Sequence, residues 1–210
     1  YEHLIEKKIE KGAVIAIPRQ SYLRKDDINI LPFSGISMKE TIFGNENNYL
    51  VTYFSDRHGF RSDNQIWNEE KIDFLLIGDS YVHGAMVLGN ETISGNLKKK
   101  ELKVLNLGYG GTGSLSQYAI LREYLPFVKT DKILWFYYEG NDNYDLIFEK
   151  KNKILLKYLE DKSFSQDLIL KQALIDEEHF KNFTPKNKLK KDNLLGIRKA
   201  KTKSTNNQFS

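Results

Sequence analysis

The chain has 210 residues, of which 40% are hydrophobic and 12% aromatic, a composition typical of a globular protein rather than a disordered one. It has no cysteine, which excludes disulfides, thiolate metal sites and a cysteine nucleophile. The net charge of +4 is concentrated near the carboxyl end, where residues 181–203 hold nine basic residues and a single acid, Asp192. Because aromatic residues are sparse there, we interpret residues 181–210 as a solvated tail and expect no nucleic-acid partner.

Residues 1–68 are interpreted as an N-terminal extension. The first eleven residues predict a short charged helix that ends at Gly12, and residues 13–46 carry no regular pattern. Residues 49–55 (YLVTYFS) are rich in β-branched and aromatic side chains, which predicts a strand, and residues 56–61 (DRHGFR) are typical of a turn. No apolar run reaches the length of a membrane span. Attachment to a membrane through a segment upstream of Tyr1 is an alternative that the sequence leaves open.

From residue 72 onward, strand-like and helix-like patterns alternate. Apolar runs at residues 72–77, 102–107 and 132–138 predict strands, and residues 90–100, 115–125 and 154–179 predict helices. This alternation predicts an α/β fold over residues 69–180, with a parallel sheet and helices on both faces. No strand-like run follows residue 138, so we expect the sheet to be incomplete at its carboxyl-terminal side and to have an exposed edge.

Each predicted strand ends in a polar or glycine-rich cluster. The clusters are GDS at residues 78–80, NLGYGGTG at residues 106–113 and GND at residues 140–142. Carboxyl ends of parallel strands lie at one edge of a sheet, so the three clusters should converge. Ser80 would begin a helix, the glycine-rich loop would expose backbone N–H groups, and Asn141 would offer an amide, which together are the donors that an oxyanion hole requires. The pattern favours acyl transfer.

These three clusters resemble three of the four sequence blocks of the SGNH (GDSL-type) hydrolase family. The resemblance implies a three-layer, flavodoxin-like α/β fold, with Ser80 as the nucleophile and Gly111 and Asn141 as oxyanion donors. It also implies hydrolysis or transfer of an ester without a metal or an organic cofactor. The DRHGFR turn is similar to a segment of cell-envelope members, so we expect a cell-envelope location and an O-acyl ester substrate, which includes esters on a glycan.

The fourth block of the family is a DxxH motif that supplies the catalytic Asp and His after further strands. The one DxxH of this chain, Asp176 to His179, lies in a stretch that predicts an exposed acidic helix. We therefore name Asp176 and His179 as a candidate dyad, but favour a truncated family member whose base lies outside these 210 residues. Such a chain would be a poor esterase.

Two other functions stay open at this stage. Gly108, Gly110 and Gly113 spell the G-x-G-x-x-G fingerprint of dinucleotide-binding domains between a strand and a helix, and Glu139 ends the next strand. That interpretation leaves the GDS and GND clusters unexplained. The second alternative is a non-catalytic domain that binds a glycan or another partner in the same crevice, and the missing DxxH block favours it.

Overall fold

The computed structural model describes residues 2–25, 28–44 and 49–183, so the predicted basic tail lies outside the described residues from 184 onward. Within these ranges the chain is a mixed α/β protein with two three-stranded sheets. The α-helices are α1 (Glu2–Glu10), α2 (Gln20–Leu23), α3 (Ser80–His83), α4 (Ile93–Lys98), α5 (Ser114–Tyr124), α6 (Asp142–Glu149), α7 (Lys153–Glu160) and α8 (Gln172–Asn182). The strands are β1 (Val14–Ile15), β2 (Glu40–Gly44), β3 (Val51–Phe54), β4 (Ile72–Ile77), β5 (Val104–Asn106) and β6 (Thr130–Trp135).

The second sheet is parallel and has the strand order β5-β4-β6. Leu76 of the central strand lies opposite Asn106 of β5 and Leu134 of β6. The three parallel strands predicted from the sequence are therefore confirmed, and their carboxyl ends lie at the same edge. The polar clusters that follow these strands leave the sheet from that edge.

Strand β4 is packed on both of its faces. Leu75 and Ile77 are fully buried in the main core, which includes Ala119 of α5 and Tyr158 of α7. Leu76, between them, belongs to a separate cluster in which residues of α4 pack. Because successive strand residues point to opposite faces, burial on both faces requires a continuous apolar run, and this is what residues 74–77 provide.

The other sheet lies in the region for which the sequence predicted no regular structure. Strand β1 pairs with β2 in parallel, and β2 pairs with β3 in antiparallel orientation. The prediction of irregular chain over residues 13–46 is therefore wrong, whereas the strand predicted at residues 49–55 is confirmed as β3. Strand β1 has only two residues and depends on a distant partner, since the register joins Val14 to Thr41. Such pairing leaves no local periodicity to detect.

The long helix predicted for residues 154–179 is interrupted between α7 and α8. The buried carboxylate of Glu123, on α5, accepts hydrogen bonds from Gln166 N at 2.7 Å and from Leu168 N at 2.8 Å. These two N–H groups cannot also continue a helix. The interruption therefore comes from a contact more than forty residues away in sequence, which the local pattern does not contain.

Strand β6 is an outer strand of the parallel sheet in the described part of the chain. Ile133 is 40% exposed and Trp135 is 45% exposed. The exposed sheet edge expected from the sequence is thus present among the described residues. Unpaired backbone groups at such an edge favour association with another strand.

The DRHGFR turn is organised around the buried carboxylate of Asp56. Its Oδ1 accepts hydrogen bonds from His58 N and Phe60 N, both at 2.9 Å, and its Oδ2 accepts one from Trp67 Nε1 at 2.8 Å. Burial raises the pKa of Asp56 to about 6, and the hydrogen bonds oppose this rise. The turn is therefore a closed structural unit rather than an exposed loop.

Arg61 connects this turn to the chain that follows Ser80. Its guanidinium donates to Gly84 O and, at 3.0 Å, to Val87 O. The same group lies over the ring of Tyr53, 5.2 Å from its centroid. The turn thus fixes the end of α3 from outside the parallel sheet.

We predict that Gly59→Ala destabilises the protein far more than Gly12→Ala does. Both glycines have a positive φ, +78° and +91°, but a Cβ at Gly59 would lie 2.0 Å from Gly35 O whereas nothing lies within 4 Å of one at Gly12. A left-handed alanine costs about 1–2 kcal/mol. The backbone clash adds about 1–3 kcal/mol.

Urea denaturation of the two variants measures this difference in the free energy of unfolding. We expect a loss of about 3 kcal/mol or more for Gly59→Ala and about 1–2 kcal/mol for the control Gly12→Ala. Equal losses in the two variants would show that the contact between Gly59 and Gly35 does not constrain the turn.

Candidate active site

Ser80 lies on a tight turn at the carboxyl end of the central strand. Asp79 precedes α3 and its Oδ1 accepts a hydrogen bond from Tyr81 N at 2.9 Å, as an N-cap residue does. Gly84 ends the helix in the left-handed conformation. Gly78 has no room for a side chain, since a Cβ there would lie 2.5 Å from Val82 Cγ2. Ser80 is therefore held on a one-turn helix that packs directly against the end of β4.

Asn106, the last residue of β5, connects this turn to the glycine-rich loop. Its Nδ2 donates to Val82 O at 2.8 Å, and its Oδ1 accepts from Gly108 N at 2.9 Å. The side chain is buried, so both hydrogen bonds form away from water. This amide side chain thus joins the turn that carries Ser80 to the glycine loop.

Gly111 adopts a left-handed conformation with φ of +76°. A Cβ there would lie 3.2 Å from the backbone nitrogens of Arg19 and Gln20. The preceding residue is bound as well, because Arg19 N donates to Gly110 O at 2.8 Å. The backbone N–H groups of Ser80 and Gly111 donate to no acceptor among the described residues, which leaves both as potential donors to a ligand.

Ser80 and Gly111 line the same cavity, whose volume is about 220 Å³. Its walls are formed by residues 16–18 and 109–111 together with Phe43, Ser80, His83, Ala85 and Met86. The lining is predominantly apolar, so the serine hydroxyl stands at the border of a largely hydrophobic space. Of the three residues expected to converge at one crevice, Ser80 and Gly111 line this cavity, and Asn141 does not.

His83 is a buried residue in the wall of this cavity, and both of its ring nitrogens form hydrogen bonds. Its Nδ1 accepts from Gly110 N at 3.1 Å, which places the proton on Nε2, and Nε2 donates to Tyr53 Oη at 3.0 Å. Burial, assisted by the nearby charge of Arg61, lowers the pKa of His83 to about 3. The imidazole is therefore a neutral structural group and cannot receive the proton of Ser80.

Asn141 lies just after β6, at the same edge of the sheet, but does not line this cavity. Its Nδ2 donates to Asp145 Oδ2 at 3.0 Å, and Gln20 donates to the other oxygen of the same carboxylate. Desolvation, with the charges of Glu149 and Asp142 acting in the same direction, raises the pKa of Asp145 to about 6, and the hydrogen bond from Asn141 opposes this rise. Asp145 thus accepts a hydrogen bond from the side-chain amide that the sequence analysis predicted as an oxyanion donor.

Asp176 and His179 lie on α8 and are not brought to Ser80. The carboxylate of Asp176 accepts hydrogen bonds from Ser37 N, Ser37 Oγ and Gln172 Nε2. His179 is buried beside Tyr22, with the two ring centroids 6.4 Å apart. Neither side chain lines the cavity beside Ser80.

In the described part of the chain, Ser80 Oγ has one hydrogen-bond partner, Asp79 Oδ2, at the long distance of 3.4 Å. The remaining histidines are His3 on α1 and His58, which packs against Trp67. Neither lines the cavity beside Ser80. Burial, assisted by the charge of Arg57, lowers the pKa of His58 to about 4. An imidazole coupled to Ser80 is therefore not among the described residues.

The amino end of α5 bears on the dinucleotide alternative. Glu149 accepts hydrogen bonds from Gly113 N at 2.7 Å and from Leu115 N at 3.0 Å. A Cβ at Gly113 would also lie 2.7 Å from Glu149 Oε2. The N–H groups that would hold a pyrophosphate are thus bound by the carboxylate of the protein itself, and this arrangement disfavours a dinucleotide there.

The sequence analysis missed Asp145 and the walls that residues 16–18 and Phe43 contribute. A signal for Asp145 does exist, because Asp142, Asp145 and Glu149 are spaced three and four residues apart and so share one face of α6. For the cavity walls no signal exists in the local sequence. Those residues reach the site through contacts with distant parts of the chain, such as the pairing of β1 with β2 and the hydrogen bond from Arg19 N to Gly110 O.

Over the described ranges, no group of three or more His, Asp or Glu side chains is arranged to hold a metal ion. Over the same ranges, no helix combines the length and the apolar character needed to cross a membrane. No family model matches this chain, and neither a curated protein nor a solved structure does.

We predict that His83 makes the stability of the protein fall with decreasing pH. The pKa of about 3 in the folded state lies below the unfolded value of about 6.5, so below pH 6.5 the unfolded chain binds a proton that the folded chain does not. The stabilising contribution is complete above about pH 6.5 and decreases continuously toward pH 3. The expected slope is about 1.4 kcal/mol per pH unit.

A comparison of wild type with His83→Gln isolates this contribution, because all other titrating groups are common to both chains. Between about pH 6.5 and pH 5, wild type should lose about 2 kcal/mol of unfolding free energy relative to the variant. His3→Gln, a change at an exposed side chain, is the matched control and should show no such pH dependence. A constant difference between wild type and His83→Gln would contradict the buried neutral imidazole.

Proposed function

We propose that this chain is a serine ester hydrolase or acyl transferase built on the three-layer SGNH arrangement, with helices on both faces of the parallel sheet. The observation that carries the proposal is the position of Ser80, which stands with Gly111 at one apolar cavity beyond the carboxyl end of the central strand. The hydroxyl, the two available N–H groups and the Asn141 amide are the groups that acyl transfer needs.

In the proposed reaction Ser80 Oγ forms a bond to the carbonyl carbon of the ester, and the π electron pair moves to the carbonyl oxygen. The N–H groups of Ser80 and Gly111 and the amide of Asn141 stabilise that oxyanion. Its collapse re-forms the carbonyl and breaks the bond to the alkoxy oxygen, which leaves as the alcohol with the proton lost by Ser80. Water then attacks the acyl-serine, so that the carboxylic acid leaves and the hydroxyl is restored; an alcohol acceptor instead gives acyl transfer.

The resemblance to cell-envelope members extends the proposal to location and substrate. We place the protein in the cell envelope and its substrate among O-acyl esters, with esters on a glycan included. No metal or organic cofactor takes part in the proposed reaction.

Turnover by this chain should be slow, since a serine hydroxyl is a weak nucleophile unless a positioned base takes its proton. Oxyanion stabilisation and binding alone leave an acceleration of about 10³- to 10⁴-fold over water when a triad member is lost. Asp79 Oδ2, at 3.4 Å, is the acceptor that the described residues offer to Ser80. The rate should depend little on pH near 6 to 7, because no imidazole is coupled to the hydroxyl.

The test is turnover of a 4-nitrophenyl ester by four variants. We expect Ser80→Ala to reduce the rate to that of buffer and Asn141→Ala to lower kcat by about 10²-fold, the typical effect of one oxyanion donor. Ser163→Ala, at an exposed serine whose hydroxyl donates to Asp161, should retain the wild-type rate. His179→Ala should do the same.

Two outcomes would overturn parts of this proposal. Turnover that survives Ser80→Ala would exclude Ser80 as the nucleophile. A loss in His179→Ala as large as that in Ser80→Ala would instead make Asp176 and His179 the catalytic dyad, after a rearrangement of α8.

A non-catalytic glycan-binding domain is the second candidate, and exposed rings near Ser80 favour it. Tyr81 is 59% exposed and Tyr138 is 45% exposed, with ring centroids 4.7 Å apart. Rings with an apolar face and a polar hydroxyl suit a ligand that is both apolar and hydrated, such as a sugar.

Oligosaccharide binding that weakens in Tyr81→Ala and Tyr138→Ala, with no ester turnover in wild type, would select this function. Binding that both variants retain would exclude it.

A further inference from the structure

The cavity beside Ser80 has walls that favour hydrocarbon. Ala16, Ile17, Pro18 and Phe43 contribute carbon surfaces from the N-terminal segment, and Met86 contributes a thioether chain from beyond α3. His83 also lines the cavity, but both of its ring nitrogens are used in hydrogen bonds to the protein. A polar ligand would therefore find few partners in this space and would lose those it had in water.

The size of the cavity limits what it can hold. An engineered apolar cavity of about 150 Å³ binds benzene, which has six carbons. The present cavity is larger, at about 220 Å³. By the same proportion, the cavity would hold about nine carbons if it were completely filled. An acyl chain of about six to eight carbons therefore fits within it, whereas an acetyl group leaves most of it empty.

We infer that this cavity is the acyl pocket of the proposed ester reaction and that it takes a straight acyl chain of about six to eight carbons. The inference rests on the proposed function, since Ser80 and Gly111 at the border would hold the ester carbonyl. The acyl chain then extends between Phe43 and residues 16–18. The alcohol part of the ester leaves on the open side.

The walls that select the chain length belong to the N-terminal extension and not to the parallel sheet. Ala16 is fixed by a hydrogen bond from its N to Ile42 O at 2.9 Å, and Arg19 N binds Gly110 O at 2.8 Å. Phe43 is held next to His83, with ring centroids 4.6 Å apart. The wall is therefore preformed, and a chain that enters it pays little for ordering the protein.

The first experiment compares kcat/KM for 4-nitrophenyl acetate, butyrate, hexanoate, octanoate and decanoate, each corrected for its rate in buffer. Every methylene that enters the pocket should raise kcat/KM about fourfold. The hexanoyl ester should thus exceed the acetyl ester by on the order of 10²-fold, with a maximum at six to eight carbons. A profile that is flat, or highest for acetate, would overturn the inference.

Substitutions in the wall test the location of the acyl chain. Ala16→Phe fills the pocket and should reduce the ratio of hexanoyl to acetyl kcat/KM from about 10² to about 1. Phe43→Ala enlarges the pocket and should move the optimum to longer chains. Phe54→Ala removes a phenylalanine that is 60% exposed on the same small sheet, so it should retain the wild-type ratio. Wild-type ratios in both wall variants would place the acyl chain elsewhere and assign the cavity to the alcohol or to no part of the substrate.

A binding measurement separates this inference from the proposed function. Ser80→Ala cannot form an acyl-enzyme, and it should bind hexanamide at least tenfold more tightly than acetamide, measured by calorimetry. The double variant Ser80→Ala/Ala16→Phe should lose this preference. Hexanamide binding with this pattern, but without ester turnover in wild type, would leave the pocket standing while the proposed function fails. Turnover that depends on Ser80 but shows no chain-length preference would support the proposed function and overturn the acyl pocket.

Discussion

The candidate site depends on two side chains that fasten the turn after β4 to the loop after β5. Asn106 bridges Val82 O and Gly108 N, and His83 accepts the N–H of Gly110. Each of these groups is buried or nearly so, where a hydrogen bond left unmade would cost about 1–3 kcal/mol. Because these buried hydrogen bonds join both segments, Ser80 and the glycine loop are positioned relative to each other. The proposed nucleophile and its backbone donor are thereby positioned without help from any flexible loop.

The N-terminal segment completes this arrangement at an energetic cost. The guanidinium of Arg19 is fully buried, and its nitrogens have no hydrogen-bond partner among the described residues. It lies over the ring of Phe33, and burial lowers its pKa to about 10, although the charge of Glu149 opposes the shift. Glu149 also accepts the N–H groups that begin α5. One carboxylate therefore compensates the buried charge of Arg19 and fixes the beginning of α5, which makes the N-terminal segment and this helix interdependent.

The sequence predicted those elements whose cause is local. The apolar runs around β4, β5 and β6 indicate burial within each strand, and the polar and glycine-rich clusters after them indicate the turns. The parallel sheet, and the position of the glycine loop beside Ser80, could therefore be predicted from residue patterns. Elements that depend on distant partners could not be predicted. Strand β1 exists through its pairing with β2, and the break before α8 exists because Glu123 binds backbone N–H groups more than forty residues later. The cavity walls inherit this difficulty, since they come from the segment whose structure is set by β2.

Asp145 illustrates how a buried acid can serve a neighbouring amide. The Asn141 side chain has two N–H donors on Nδ2, and the carboxylate of Asp145 accepts one of them. A side chain fixed by one donor keeps the other available in a single orientation, which is what an oxyanion donor requires in the proposed reaction. The position is electrostatically unfavourable for an ionised acid, because burial and the charges of Glu149 and Asp142 raise its pKa to about 6. Asp145 also shares its helix face with two further acids, and an apolar residue would suffice for packing at this position. The hydrogen bonds that its carboxylate accepts from Asn141 and Gln20 therefore explain an acid here better than packing does.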